Sequence, residues 1–384
     1  MRNEKKISYI TYQTFPAETA NSLQTISNIK YLSRNGFNVE LVFPLRSINS
    51  SNDLNIIRDF YKFDEDIKIR GTKHNLPFGK FKYLDRILFL ISHFIWTRNI
   101  VKTLLKESEQ PESYFTRSDW AFYFLSKKSA PVVYECHQYT KIRKMIINSA
   151  LKSARSKIIF LNKNLKDDYE SKYNLKNNFI VLHNGVDLDL FQNFKNNENE
   201  IIFVGNLKRF KESRNIEFLL SAFKELDKKY ILKIIGVKES EIDELNNEIN
   251  NLKISDRVKI LRYLNHKETI DEMCKSGIGV LINSDLNMHS TKYTSPLKYF
   301  EYLAANLKII AVDFDAHKKL PFSENISFFN TLNIETFQTA INNSLKIKSL
   351  SKNSLYEISL DLRAKPCECL KVKKIIRFSI EILR

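Results

Sequence analysis

The 384-residue chain is 43% hydrophobic and 12% aromatic, enough apolar side chain for two α/β domains with separate cores, and too much for an intrinsically disordered chain. With 61 Lys and Arg against 44 Asp and Glu, the formal net charge is +17; such a balance attracts an anionic membrane face or nucleic acid, unless a bias toward Lys, Asn and Ile spreads it over every exposed surface. No apolar run is long enough to span a bilayer, the chain enters its first strand without a signal peptide, and no RNA-recognition, zinc-finger or basic-zipper motif occurs, so a cytoplasmic protein that does not bind nucleic acid is expected.

Apolar runs alternate with helical patterns along the whole chain, which predicts parallel α/β sheets. In the first half the runs are 7–11, 39–43, 113–115, 131–135, 157–161 and 179–182. After the first strand, FPAETANSLQT (15–25) opens a helix. Asn21 and Ser22 stand where a helix start either faces a ligand or is capped by Asn21 or Thr19. Residues 78–106 hold a ten-residue apolar core flanked by Lys80, Lys82, Arg86, Arg98 and Lys102, with aromatics interleaved. That pattern suits a helix lying in the headgroup layer of an anionic membrane, and equally a buried helix with solvated ends. It is too short to span.

Two later strands end in polar residues, YFTRSD (114–119) and VVYECH (132–137), where α/β sheets place ligand-facing groups. Arg117 suits an acidic acceptor, a phosphate or a surface salt bridge. Glu135 and His137 alternate and so share one face of their strand. Glu135 either orients the imidazole or pairs with a Lys, and a lone His at such a place is either packed or functional. Gly185, in HNGVD, supplies turn geometry. The polar stretch 192–200 reads as a linker, dividing the chain into domains at 1–190 and 191–370, followed by an amphipathic segment at 371–384. Four cysteines, Cys136, Cys274, Cys367 and Cys369, make no disulfide framework, and Cys367 and Cys369 lack a second pair to close a zinc site.

In the second half the runs are 201–205, 231–236, 258–261, 278–282 and 308–312. Gly205 and Gly236 end the first two, and Gly205 allows a close backbone approach to a ligand. The segment TSPLKYFEYLAANLKIIAVD (294–313) is the most informative. Ser295 is a natural N-cap, Pro296 fits the first helical position, and Leu297, Phe300 and Ala304 recur as a buried face. Lys298 and Glu301 then look out of the first turns. A helix N-terminus beside a Lys suits a diphosphate, and a carboxylate beyond it suits the two hydroxyls of a ribose. An ordinary capped connection between helix and strand has the same residues. Neither G-x-G-x-x-G nor G-x-x-x-x-G-K-[ST] occurs, which argues against dinucleotide dehydrogenases and P-loop ATPases.

SPLKYFEYLAAN followed by an apolar strand resembles the donor-site signature of family 4 glycosyltransferases, and the likeness runs through FPAETANSLQT, VVYECH, HNGVD and IIFVGNLKRFKES to cover nearly the whole chain. The resemblance implies the GT-B architecture, two Rossmann-like domains facing a cleft, with the acceptor side in the first domain, the nucleotide sugar in the second and a C-terminal helix crossing back. It implies a retaining transfer from a UDP- or GDP-linked sugar, which is a substrate and not a cofactor, without a metal. Ser295, Pro296, Leu297 and Lys298 would then hold the diphosphate, Glu301 the ribose, and Gly236 would lie near the base. His137 would approach the sugar, and Lys211, beside Gly205, would meet the diphosphate. Asn21, Ser22, Arg117 and Glu135 would line the cleft. The acceptor implied is a growing surface glycan, on a lipid carrier at the inner face of a membrane.

Three departures from the family pattern stand out. Tyr293 replaces the first glutamate of its E-x7-E pair, Asn206 its Arg after Gly205, and Glu212 its second Gly; Arg209 is a candidate to restore the lost charge. Two rivals remain: a nucleotide-sugar epimerase or hydrolase of the same fold, and a basic, non-enzymatic protein of the membrane surface.

Overall fold

Stretches rich in Ile, Val, Phe and Tyr form the strands, and the central ones are apolar on both faces, as sheets covered by helices on each side require. The computed structural model describes residues 5–17, 19–46, 49–74, 85–150, 153–170, 179–209, 212–262 and 264–364. In the first half, β1 (Lys5–Ile10), β2 (Phe37–Leu45), β3 (Lys68–Lys73), β4 (Ser113–Thr116), β5 (Val132–Cys136), β6 (Ser156–Phe160) and β7 (Phe179–Val181) pair in the order β3-β2-β1-β4-β5-β6-β7. Every pairing is parallel.

The second half holds β8 (Asn197–Val204), the short antiparallel pair β9 (Lys208–Arg209) and β10 (Glu212–Ser213), then β11 (Ile231–Ile235), β12 (Val258–Leu261), β13 (Ser276–Leu281), β14 (Lys308–Val312) and β15 (Ile326–Phe329). Its main sheet runs β12-β11-β8-β13-β14-β15, again parallel throughout. Both sheets are doubly wound. Strand order reverses between β1 and β4 in one and between β8 and β13 in the other, the points where such sheets bind ligands.

The described residues of 5–161, 165–182 and 360–364 form one compact unit, and those of 162–164 and 183–359 the other. The division thus falls ahead of 190/191. Residues 192–200, expected as a linker, already belong to the second unit. Lys195 N–H donates to Cys274 O at 2.9 Å, and Asn197 registers with Ser276 on β13. The stretch is polar because it is the exposed entry to β8, not because it is unstructured. Val186 bridges Ser359 within the same unit, its N–H donating to Ile358 O at 3.0 Å. Leu360–Ala364 returns to the first unit, where Asn35 reaches Asp361. Residues 371–384, Cys367 and Cys369 lie outside the described residues. Cys136 and Cys274 are free and buried, and burial pushes the Cys136 thiol up to about 12, which leaves it unreactive.

The helix Asp85–Leu104 is half core and half surface. Trp96, Ile100, Val101 and Leu104 are buried, as a core helix requires, whereas Ile87, Leu90 and Ile91 near its start are 56%, 44% and 49% exposed. Lys80 and Lys82 lie outside the described residues, as does the Arg86 side chain. Among the described residues no helix is long and apolar enough to cross a membrane.

Candidate functional site

In the second unit the ends of β8 and β13 meet the helix Leu297–Ala304, which supplies the densest group of the expected residues. Tyr302 fastens this helix to the sheet. Its hydroxyl accepts from the Val204 N–H at 3.2 Å, and its ring lies flat on β13, where a Cβ on Gly279 would come within 2.5 Å of it. Tyr299 fixes the other side, donating to Pro321 O at 2.6 Å. With Tyr299, Phe300, Tyr302 and Ala304 buried, Lys298 and Glu301 are left at one edge. Leu297, expected on the buried face, is only half-buried because these aromatics fill it.

The helix begins one residue later than the sequence suggests. Pro296 is its N-cap and offers no side-chain hydrogen bond. Ser295 is engaged elsewhere: its hydroxyl accepts from Asn184 N–H at 3.3 Å and its carbonyl from Asn184 Nδ2 at 2.5 Å. The first N–H groups of the helix are therefore uncapped by any side chain, the condition under which a helix N-terminus binds an anion.

Glu301 does not look out to solvent. It is 9% exposed, with Oε1 2.9 Å from His266 Nε2 and Oε2 2.7 Å from Lys298 Nζ. Burial pushes its pKa up, but Lys298 and then His266 outweigh that and hold the carboxyl well below the usual carboxylate range. The carboxyl is therefore charged at neutral pH. One carboxylate oxygen thus faces an ammonium and the other an imidazole. His266 was not foreseen. It stands first in the helix His266–Lys275, which Asn265 and Glu268 open with a reciprocal capping box. That N-x-x-E signature was readable, whereas the pairing with a carboxylate 35 positions on was not.

Gly205 follows β8 with φ +152°, a conformation side chains rarely adopt. The space beside it is taken: a Cβ there would meet Arg214 Nη1 at 2.6 Å. Gly236, at the end of β11, packs on the Gly205 backbone, 3.1 Å from where its own Cβ would stand. Both glycines thus have a packing reason in addition to any ligand. Lys211 and the Arg209 side chain lie outside the described residues. Arg214 is a second cation that the sequence pattern did not single out.

In the first unit a separate cluster gathers at the ends of β4 and β5. Arg117 is not a surface residue; its side chain is 7% exposed and donates to Asn21 O at 3.3 Å, Asn21 Oδ1 at 3.2 Å and His137 Nδ1 at 3.0 Å. Glu135, fully buried, takes His137 Nε2 at 2.5 Å and lies 3.8 Å from Arg117 Nε. A guanidinium only donates, so His137 Nδ1 accepts and its proton sits on Nε2, given to Glu135. Both ring nitrogens are engaged inside the protein. Thr19 is the N-cap of the helix Ala20–Arg34, and Ser22 is buried with its hydroxyl 2.8 Å from the Thr19 hydroxyl. Asn21 alone of that pair is exposed.

Residues 187–354 match the model of the family described as Glycosyl transferases group 1, a span that takes in nearly all of the second unit. No curated protein matches the chain by sequence. Among solved structures the chain is similar to the sucrose-phosphate synthase of Thermosynechococcus elongatus, at 14% identity over 92% of this chain and 94% of that one, with a TM-score of 0.67. A glycosyltransferase of Rickettsia africae gives 17% identity, 99% and 98% coverage and a TM-score of 0.65. The HepE protein of Anabaena in complex with UDP gives 13%, 94% of each chain and 0.61. The fold is therefore that of the GT-B glycosyltransferases. Within it, the match to the group 1 glycosyl transferase model lies in the second unit.

Proposed function

We propose that the protein transfers a sugar, with retention of configuration, from a UDP- or GDP-linked donor to a hydroxyl of a glycan or lipid-linked acceptor in surface polysaccharide synthesis. The observation that carries this reading is the buried, charged Glu301, clamped between Lys298 and His266 beside an uncapped helix N-terminus. A carboxylate held there suits a ribose diol, and the helix start suits the diphosphate that follows it in a nucleotide sugar. The similar HepE protein was solved with UDP, which favours the same class of ligand.

In the reaction the bond from the anomeric carbon to the diphosphate breaks and its electron pair leaves with the phosphate oxygen. The acceptor oxygen bonds to that carbon, and its proton passes to the departing diphosphate. Retention needs attack on the face that the leaving group vacates, which makes the leaving oxygen the nearest base. Fixed positive charge at the phosphates lowers this barrier because it stabilises charge that grows in the transition state. We assign Lys298, Lys211 and Arg209 to that task and Gly236 to the base side. No cofactor or metal is required in this scheme. In the first unit Arg117, Glu135, His137 and Asn21 are assigned to the sugar and acceptor, with the imidazole neutral. The +17 charge and the exposed Ile87, Leu90 and Ile91 favour a peripheral place on an anionic membrane facing the cytoplasm.

The test is a thermal-shift titration with UDP and GDP, followed by product analysis with labelled donors. A new glycoside on the acceptor supports transfer. Free sugar or an epimerised donor supports the hydrolase or epimerase alternative, and no response to either nucleotide leaves the non-enzymatic membrane binder.

A further inference from the structure

Asn283 keeps a polar atom out of water without pairing it. The residue is 7% exposed, and its side-chain oxygen Oδ1 is buried with no hydrogen-bond partner among the described residues. A buried carbonyl oxygen left unpaired costs stability, and folds satisfy nearly all such groups from within.

The place of Asn283 in the sheet says what would pair with it. Along β13, Ile278, Val280 and Ile282 join one core, while Leu281 joins the other, on the side where Gly279 meets the Tyr302 ring. The same alternation brings Asn283 to the side covered by the helix Leu297–Ala304. Its main-chain carbonyl accepts from Asn215 Nδ2 at 3.0 Å, which fixes the chain just beyond the strand. Directly afterwards the chain turns, with Leu286 N–H donating to the Ser284 hydroxyl at 3.2 Å. From Gly279 to Asn283 is about 13 Å along the strand direction. The helix joins two neighbouring parallel strands, β13 and β14, and so runs back against them. Its first residue, Leu297, stands about 8 Å along the helix axis from Tyr302. Asn283 therefore lies level with the space ahead of the helix start, not beside the helix body.

Resting on the donor-site reading above, we infer that Asn283 Oδ1 accepts a hydroxyl of the sugar being transferred, and so helps to select the donor. An ionised diphosphate offers only acceptors, and an amide oxygen can only accept, so the two do not pair. The ribose hydroxyls go to Glu301. What remains of a nucleotide sugar near the helix start is the sugar itself, whose hydroxyls donate. A site that hydrogen-bonds one hydroxyl strongly rejects an analogue lacking it, because the buried acceptor is then left unpaired.

The test uses the nucleotide sugar selected by a donor screen, its deoxyfluoro analogues and the free nucleoside diphosphate. Asn283→Leu keeps the size of the side chain and removes the acceptor. It should lower kcat/KM for the selected donor about tenfold or more and leave free UDP, or GDP for a guanine donor, within about twofold in calorimetry. The deoxyfluoro donor that lacks the recognised hydroxyl should lose about tenfold with wild type and no more with Asn283→Leu, since both changes remove one hydrogen bond. Asn283→Ala carries the same measurements should the Leu variant fail to fold. Unchanged kcat/KM, equal losses for donor and free nucleotide, or losses that add across every analogue overturn the inference, while wild-type transfer upholds the donor reading. A wild type that binds no nucleoside diphosphate overturns both.

Discussion

Glu301→Gln is the sharpest probe of the proposed nucleotide site. The substitution keeps the size of the side chain and removes its charge. The amide oxygen can still accept from His266 Nε2, while the new NH2 faces the Lys298 ammonium where a carboxylate oxygen stood 2.7 Å away. Lys298 is 29% exposed and can turn to water, so the folded protein should lose little stability. Ligand binding has no such outlet. A ribose hydroxyl that donated to a carboxylate would donate to an amide, and losing charge assistance on two such bonds is worth about 2 kcal/mol, roughly 30-fold in Kd. The measurement is isothermal calorimetry with the ribonucleoside diphosphate and its 2′-deoxy analogue. Wild type should prefer the ribo form by about tenfold, and Glu301→Gln should lose most of that preference. A ribo-to-deoxy ratio unchanged by the substitution would refute the assignment even if overall affinity fell, because the loss would then come from elsewhere in the site.

His137→Ala and Arg117→Ala should each lower kcat and kcat/KM together while leaving nucleotide affinity within about threefold, as expected of groups outside the nucleotide site; near-normal turnover in both returns the cluster to a packing role. Fully buried His317 donates from Nδ1 to Val312 O at 2.9 Å, and its Nε2 has no hydrogen-bond partner, so burial pushes its pKa from 6.5 down to about 4. Below pH 6.5 the unfolded chain binds a proton that the folded one refuses, so stability is lost as pH falls from 6.5 toward 4. Between pH 7 and pH 5 this amounts to about 2 kcal/mol, and His317→Gln should flatten the pH dependence of urea denaturation by that amount; equal slopes for both proteins would assign the effect to other groups. Vesicles with anionic lipid should bind the protein less as salt rises, because surface charge is screened over about 10 Å at 0.1 M. Replacing Ile87, Leu90 and Ile91 with Ser should weaken that binding further; if the triple variant binds as wild type does, the net charge alone is responsible.

Central strands were legible in the sequence because burial on both faces leaves continuous apolar runs. Of the strands in the two main sheets, the ones that escaped, β3 and β15, are edge strands: KIRGTK is half-exposed, and ISFF is short. The entry to β8 was read as a linker for a related reason, since Asn197 and its neighbours are paired yet polar. Alternation along β5 placed Glu135 and His137 on one face, as found, but nothing local announced that Arg117 would reach across to the same imidazole. His266 shares that difficulty: it meets Glu301 from the start of another helix, and proximity of that kind leaves no periodic trace. Ser295 shows the converse, a capping signal diverted by a tertiary partner, Asn184.

Gly279 offers a consequence beyond packing. Tyr302 lies on it so closely that one added methyl group must displace the ring, and the ring belongs to the helix that carries Glu301. If Glu301 holds the nucleotide as proposed, that grip can be tuned from inside the sheet. Variation at residue 279 between related chains would then adjust how tightly the product nucleotide is held, and with it the speed of its release, while the chemistry at the sugar keeps every one of its own groups.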